Sequence, residues 1–368
     1  RPQGPRHERP RGADPARGGR QSRPVTGVPS GPSAAAHPPS SVPRRLLIVR
    51  LSAMGDIIHA LPIAENARRA GVEVGWVAER PYGGLLEGNP AVSRLFLADT
   101  RSWRRSPLSR ASRAGIRRLR SELLEFAPET TIDVQGLWKS AVVARLARAP
   151  VVSLGVRDRR EHTSSVLVDT PVRLDPAVSH VVDQNLALLG PLGIPVADPA
   201  PNARYLLQPP RPAAESFCNA MRAPFALLHP GASRAEKSWG EEQFAALARR
   251  LAARAGLASA ISWGPGDEER VERLSKLLPD APRIPTLDFA GLAHVMARCA
   301  VFVAGDTGPV HLADALGVPT LALFSPRARR NVPERNRPYR GAWLRYDPAT
   351  DLETVVTKAI EAAAMSAL

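Results

Sequence analysis

Cysteine is nearly missing from this chain: Cys218 and Cys299 are the only two in 368 residues, far apart and in neither a CxxC nor a metal-ligand spacing. That excludes a disulfide framework and a cysteine-built zinc site, and the two read as small buried residues of a reducing compartment. Long apolar runs are missing as well. No segment reaches the roughly 18 residues of a membrane-spanning helix, and no continuous apolar stretch near the N-terminus could serve as a secretory signal. The expectation is therefore a cytoplasmic protein. No helix-turn-helix, zinc-finger or aromatic RNA-binding signature accompanies the basic charge, which argues against nucleic acid as a partner. No GxGxxG follows the first strand of either half, which disfavours a nicotinamide-dependent oxidoreductase. Neither a DxD pair at a strand end nor a cluster of histidines is present, so no metal is expected.

The chain does have length and an apolar content of 44%. Together these suit two α/β domains of roughly 150 residues each. The net charge is +15, of which residues 1–43 supply five: they hold seven Arg against Glu8 and Asp14. That segment also contains ten Pro and six Gly without apolar periodicity. It cannot bury enough surface to fold alone and is expected to be a disordered extension. The excess on the remainder reads either as a solvated surface or as a site for an anionic substrate or acidic lipid.

From residue 44 on, short apolar runs alternate with helical spacings. LLIVR ending at Arg50, VEVGWVAE (72–79), LFLAD (95–99), TTIDV (130–134) and VVSLGV (151–156) form one series. FALLHPG, ASAISWGPGD, AVFVAGDTG and PTLALFSP form a second, after the Pro-rich passage 195–216. This is the pattern of two parallel sheets with crossover helices. The expected organisation is the extension 1–43, an N-terminal Rossmann-like domain 44–205, a C-terminal one 206–350, and a closing helix in 351–368 able to pack back on the N-terminal domain. Ligands of open α/β sheets bind outside the carboxyl ends of the strands, here the cleft between the halves.

Four strand ends carry chemistry: SAMGD (52–56), DVQGLWKS (133–140), HPGASRAEKSW (229–239) and GDTGPVHLADALG (305–317). In the last, Gly305 and Gly308 permit close backbone approach. Thr307 offers a hydroxyl, the new helix points its amides at whatever lies ahead, and His311 follows Thr307 by one turn. These are parts of a phosphate cradle, although Asp306 or Thr307 could equally be a helix cap. Lys237 is a compact cation able to neutralise a diphosphate and Ser233 a small donor, each alone more often a surface residue. Glu268 and Glu269 follow a strand where a carboxylate takes ribose hydroxyls, or simply acidify a first helical turn. Asp56 is either the cap of its helix or a carboxylate aimed into the cleft.

Taken in order over residues 44–368, VRLSAMGDIIHALP, DVQGLWKSAVVARL, HPGASRAEKSW and GDTGPVHLADALGVPTLALFSP resemble the lipopolysaccharide heptosyltransferases of glycosyltransferase family 9. REHTSSVLVDTPVRLDPAVSHVVDQNLALLGPLG (160–193) is more similar to the heptosyltransferase I branch than to heptosyltransferase II. The resemblance implies a GT-B fold, ADP-L-glycero-β-D-manno-heptose as donor, and a Kdo-bearing lipid A precursor as acceptor. It also implies inversion at the anomeric carbon, no required metal or other cofactor, and work at the inner face of the cytoplasmic membrane. It assigns Asp56 as general base, Ser233, Lys237, Asp306, Thr307, Gly308 and His311 to the donor, and Glu268 to the ribose with a one-residue ambiguity against Glu269. Lys139 and Arg160 fall near the acceptor. Ala53 and FSPRARRN depart from the family pattern, as does the dense basic insert 101–120. Alternatives from other classes are a heptosyltransferase II-like or other nucleotide-sugar transferase and a non-catalytic glycolipid-binding protein.

Overall fold

The computed structural model describes residues 42–209, 211–221, 224–231, 239–326, 332–346 and 352–364. The extension expected over 1–43 falls almost wholly outside the described residues.

The first sheet has six strands: β1 (Arg45–Val49), β2 (Glu73–Glu79), β3 (Arg94–Ala98), β4 (Thr130–Asp133), β5 (Val151–Leu154) and β6 (Thr170–Val172). They run parallel in the order β3-β2-β1-β4-β5-β6. The second sheet has β7 (Phe225–His229), β8 (Ala258–Ile261), β9 (Val301–Gly305), β10 (Thr320–Phe324) and β11 (Ala342–Arg345), parallel in the order β11-β10-β9-β7-β8. The central strands FALLH, VFVAG and TLALF are buried at every position. A strand covered on both faces by helices has no solvent side, so its apolar run is continuous rather than alternating. The two strands that the apolar runs do not reveal are the edges β6 and β11. β6 is Thr-Pro-Val, with a proline that only an edge tolerates, and AWLR in β11 is only half-buried.

Strand order fixes where the chemistry sits. In the first sheet the order reverses between β1 and β4, and in the second between β7 and β9. The four motifs noted above follow these four strands. Each pair of diverging crossovers leaves a crevice at its switch point, so the two crevices bring the described residues of these motifs to facing carboxyl ends; residues 232–238 of the third lie outside the described residues.

The halves share one core. A single apolar cluster runs from Leu46 and Ile48 through Leu189 and Phe225 to Phe302 and Phe324. Close packing between the helices Met54–Ile58 and Gly308–Leu316 carries it across. A Cβ at Gly55 would stand 2.7 Å from His311 Cδ2, and one at Gly308 would stand 2.8 Å from Met54 Cβ. Glycine is required at both positions for the helices to approach this closely.

The closing helix Leu352–Ala364 does not return to the first half. Val355, Val356 and Ala359 are buried in a second cluster with Leu251, Val303 and Leu323, and Glu353 pairs with Arg250 at 2.8 Å. The nearest apolar surface after β11 is the outer face of its own sheet, and the helix covers it. No helix among the described residues is long and apolar enough to cross a membrane.

Candidate active site

The cleft between the switch points has a volume of ≈ 1040 Å³, at the upper end of the ~300–1,000 Å³ usual for ligand sites. Asp56 stands on its first wall. β1 ends, Ala53 caps the next helix without a side-chain hydrogen bond, and Asp56 falls at the third helical position, where its Oδ2 accepts from Ala53 N at 3.4 Å. That is a weak return cap. The stronger partner is Arg50, whose Nη2 lies 2.7 Å from Asp56 Oδ1. Arg50 is itself buried and donates to Val134 O at 2.9 Å, so the carboxylate is tied to the β1–β4 crevice. Arg160 Nη2 approaches the same oxygen at 3.6 Å. Burial alone would raise the Asp56 pKa, but Arg50 and Arg160 outweigh it and hold the carboxyl below its ordinary value.

Arg160 owes its direction to Arg159. That neighbour turns inward, where it pairs with Asp133 at 3.0 Å with both side chains fully buried and also bonds Ser153 and Ser164. The other Asp133 oxygen accepts from Gln135 N and Gly136 N, and Gly136 takes φ 66° to make that turn. With Arg159 fixed inward, Arg160 faces the cleft. Lys139 behaves differently. Its Nζ lies 3.0 Å from the buried Glu79 carboxylate and 3.3 Å from Ser52 Oγ, so it braces the loop that carries Asp56 from behind and does not line the cleft.

On the facing wall, β9 ends at Gly305, and Asp306, Thr307, Gly308 and His311 all line the cleft. Thr307 is the N-cap of Gly308–Leu316 but makes no side-chain cap, its hydroxyl lying 3.4 Å from Gly305 O. Pro309 has no N–H and Val310 N donates to Thr307 O at 3.3 Å, so it is the Gly308 amide at the helix terminus, which lines the cleft, that suits an anion. His311 Nε2 lies 3.7 Å from Asp306 Oδ1, and His311 Nδ1 lies 3.1 Å from His59 Nε2.

Neither Glu268 nor Glu269 lines the cleft. Glu268 is exposed, with Oε2 accepting from Gly266 N at 2.9 Å, and Glu269 is 96% exposed; both border a separate cavity. Asp267 takes the position in the cleft instead, accepting from Gly264 N at 3.0 Å and standing 3.8 Å from His229 Nε2. Gly266 at φ 95° turns the chain so that Asp267 precedes the helix Glu268–Leu277, and the first helical residues then point away. Ser233 and Lys237 lie in 232–238, outside the described residues.

The structure thus brings together Asp56, Arg160, Asp306, Thr307, Gly308 and His311. Sequence reasoning missed Arg50, His59, His229, Asp267 and Arg335, all of which contact or border the site. Arg50 had a signal, since a guanidinium directly after the buried run Leu46–Val49 needs a partner. Among the described residues, no three His, Cys, Asp or Glu side chains gather to hold a metal ion.

Two Rossmann-like halves facing across such a cleft define the GT-B architecture. A solved E. coli heptosyltransferase, WaaC, with ADP superposes with a TM-score of 0.73 at 26% identity, over 86% of this chain and 99% of that one. The same enzyme with ADP-2-deoxy-2-fluoro heptose gives a TM-score of 0.69 at 26% identity, over 88% of this chain and 100% of that one. The lipopolysaccharide heptosyltransferase 1 of Pseudomonas aeruginosa is 34% identical over 303 residues, which is 77% of this chain and 79% of that protein. Residues 116–358 match the family model for glycosyltransferase family 9 (heptosyltransferase), and the chain belongs to that family. It is a glycosyltransferase.

Proposed function

We propose that this enzyme moves heptose from ADP-L-glycero-β-D-manno-heptose to the Kdo of a lipid A precursor, with inversion and without a metal. The observation that carries the reading is the placement of Asp56 and Arg160 on one wall of a single cleft and the Gly308–Leu316 helix terminus on the other. Asp56 accepts the proton of the acceptor hydroxyl as its oxygen attacks the anomeric carbon from the face opposite the nucleotide. The bond from that carbon to the phosphate oxygen breaks, and ADP leaves with the electron pair. Negative charge grows on the diphosphate, and groups already aimed there stabilise it most. The Gly308 amide and the Thr307 hydroxyl at the helix terminus supply one part, and Ser233 and Lys237, which follow β7 in sequence, supply a hydroxyl and the cation. Asp267, rather than Glu268, takes the ribose hydroxyls.

The enzyme works at the inner leaflet. Every arginine in 101–120 is exposed, and Leu108 beside them is 82% exposed. Such a basic face with an apolar tip suits an anionic lipid surface. Incubation with ADP-heptose and a deacylated Kdo-lipid A, followed by ADP release and acceptor mass, tests the reading. Equimolar ADP and an acceptor heavier by one heptosyl unit are expected; ADP release with an unchanged acceptor would overturn it.

A further inference from the structure

Three guanidinium groups surround the one carboxylate of Asp56. Arg50 is committed to it at 2.7 Å, and Arg160 stands at 3.6 Å. The third, Arg335, comes from the other half of the protein, on the short helix Pro333–Asn336 that follows β10. It borders the cleft, and with Arg160 and Arg50 it also borders a small cavity behind it. Among the described residues no carboxylate lies within 4.0 Å of Arg335, and the partner it has is neutral: its Nε donates to Gln184 Oε1 at 3.3 Å. Gln184 belongs to the first half, on the helix Val181–Leu186.

Arg335 is held in place from both sides. Tyr339 donates to Asp183 Oδ1 at 3.1 Å, and His180 Nε2 lies 3.0 Å from Arg337 O, so residues 335, 337 and 339 meet one helix and its cap. On the other edge, the amides of Tyr339 and Gly341 both donate to Asp314 at 2.7 Å. A guanidinium fixed this way, with its terminal nitrogens uncommitted among the described residues, loses little entropy on binding an anion. Two positive charges beyond the Arg50–Asp56 pair, partly withdrawn from water, are unfavourable until an anion joins them. Burial and then Arg160 act to lower the Arg335 pKa, in keeping with that crowding.

We propose that Arg335 is an acceptor-specificity residue: together with Arg160 on the facing half it clamps the carboxylate of an acidic acceptor sugar, beside the hydroxyl that Asp56 deprotonates. The inference rests on the acceptor reading above. A sugar-acid carboxylate suits it because a planar, two-oxygen anion matches the guanidinium fork. The clamp spans both halves, so an occupied acceptor site would hold the cleft closed.

The test is steady-state kinetics of wild type, Arg335→Gln, Arg335→Lys and Gln184→Leu on three acceptors: Kdo-lipid A, its carboxamide, and the same acceptor without its lipid A phosphates. Arg335→Gln should raise the acceptor KM about 10- to 100-fold on Kdo-lipid A and on the phosphate-free acceptor. It should have less than about a 3-fold effect on the carboxamide, with the donor KM unmoved. Arg335→Lys should recover part of the loss. An equal penalty on carboxylate and carboxamide acceptors, or a Gln184→Leu enzyme that reproduces Arg335→Gln, would reduce Arg335 to a structural latch and overturn the proposal. Loss of the penalty on the phosphate-free acceptor would assign the anion to phosphate and also overturn it. Wild-type enzyme that transfers nothing to Kdo-lipid A would instead sink the acceptor reading beneath the proposal.

Discussion

His59 Nε2 stands 3.1 Å from His311 Nδ1, with ring centroids 4.2 Å apart, so a buried histidine of the first half directly supports a histidine on the facing wall of the cleft. Asp306 faces the other nitrogen of His311 and favours the proton there. His311 Nδ1 is then the acceptor and His59 Nε2–H the donor. Burial, followed by the neighbouring His311 and His180, lowers the His59 pKa well below its ordinary 6.5, so His59 stays neutral at physiological pH.

His59→Phe keeps the bulk and removes the donor. The KM for ADP-heptose is expected to rise about 5- to 10-fold, while His59→Gln, which retains an N–H, recovers most of it. The wild type should also lose stability as pH falls below 6.5, because the unfolded chain accepts a proton at His59 that the folded chain refuses. Chemical denaturation from pH 7.5 to 5.5 should show that slope, and the slope should be shallower in His59→Phe. An unchanged slope would mean His59 is not the titrating group.

Gly55→Ala places a methyl 2.7 Å from the His311 ring, which is fixed by His59 and Asp306. Overpacking of this kind costs about 1–3 kcal/mol. Thermal melts should show the loss and donor affinity should fall with it; a melt like wild type's would show that the two helices separate easily.

Asp56 is held below its ordinary 3.8 by Arg50 and Arg160 against the effect of burial. Its ion pairs therefore stabilise the fold above that pH, and the contribution disappears only as pH falls through the lowered value. For the free enzyme, kcat/KM should show no acid limb from Asp56 down to about pH 4. If the acceptor anion draws Arg160 away, the carboxylate becomes more basic in the complex, and the acid limb of kcat should lie at higher pH. Identical limbs would contradict that exchange of partners.

Asp267→Asn and Glu268→Gln separate the two candidates for the ribose. Calorimetric ADP binding should weaken about 10-fold in the first and stay within 2-fold in the second. The reverse order would return the role to Glu268.

The central strands and the strand ends that carry the motifs were legible because a fully buried parallel strand has no freedom to be polar, and its carboxyl end is where crossovers begin. The edges β6 and β11 were hidden by half-burial, and the packing of Leu352–Ala364 by its lack of any sequence mark for which half it covers. Asp56, Asp306 and His311 could be named from their motifs, but their real neighbours could not. The Arg50–Asp56 pair forms within the first half, where a strand-end arginine turns back onto the next helix, whereas the His59–His311 contact across 252 positions and the Arg335–Gln184 contact across 151 exist only once the halves meet. That Asp267 and not Glu268 lines the cleft was likewise hidden, because Gly266 at φ 95° turns the chain just before the helix.

The most direct measurement is single-turnover heptosyl transfer by Asp56→Asn, with donor affinity measured in parallel. Asn leaves Arg50 without its charge partner but keeps an acceptor oxygen beside it, so a stability loss of roughly 1–3 kcal/mol is expected, and the assay belongs well below the melting point. The account predicts a rate about 10² to 10⁴ lower with ADP-heptose affinity within a few-fold of wild type, since the donor is held by the facing wall. A rate within a few-fold of wild type in the folded variant would show that Asp56 serves only as the partner of Arg50 and that the proton goes elsewhere.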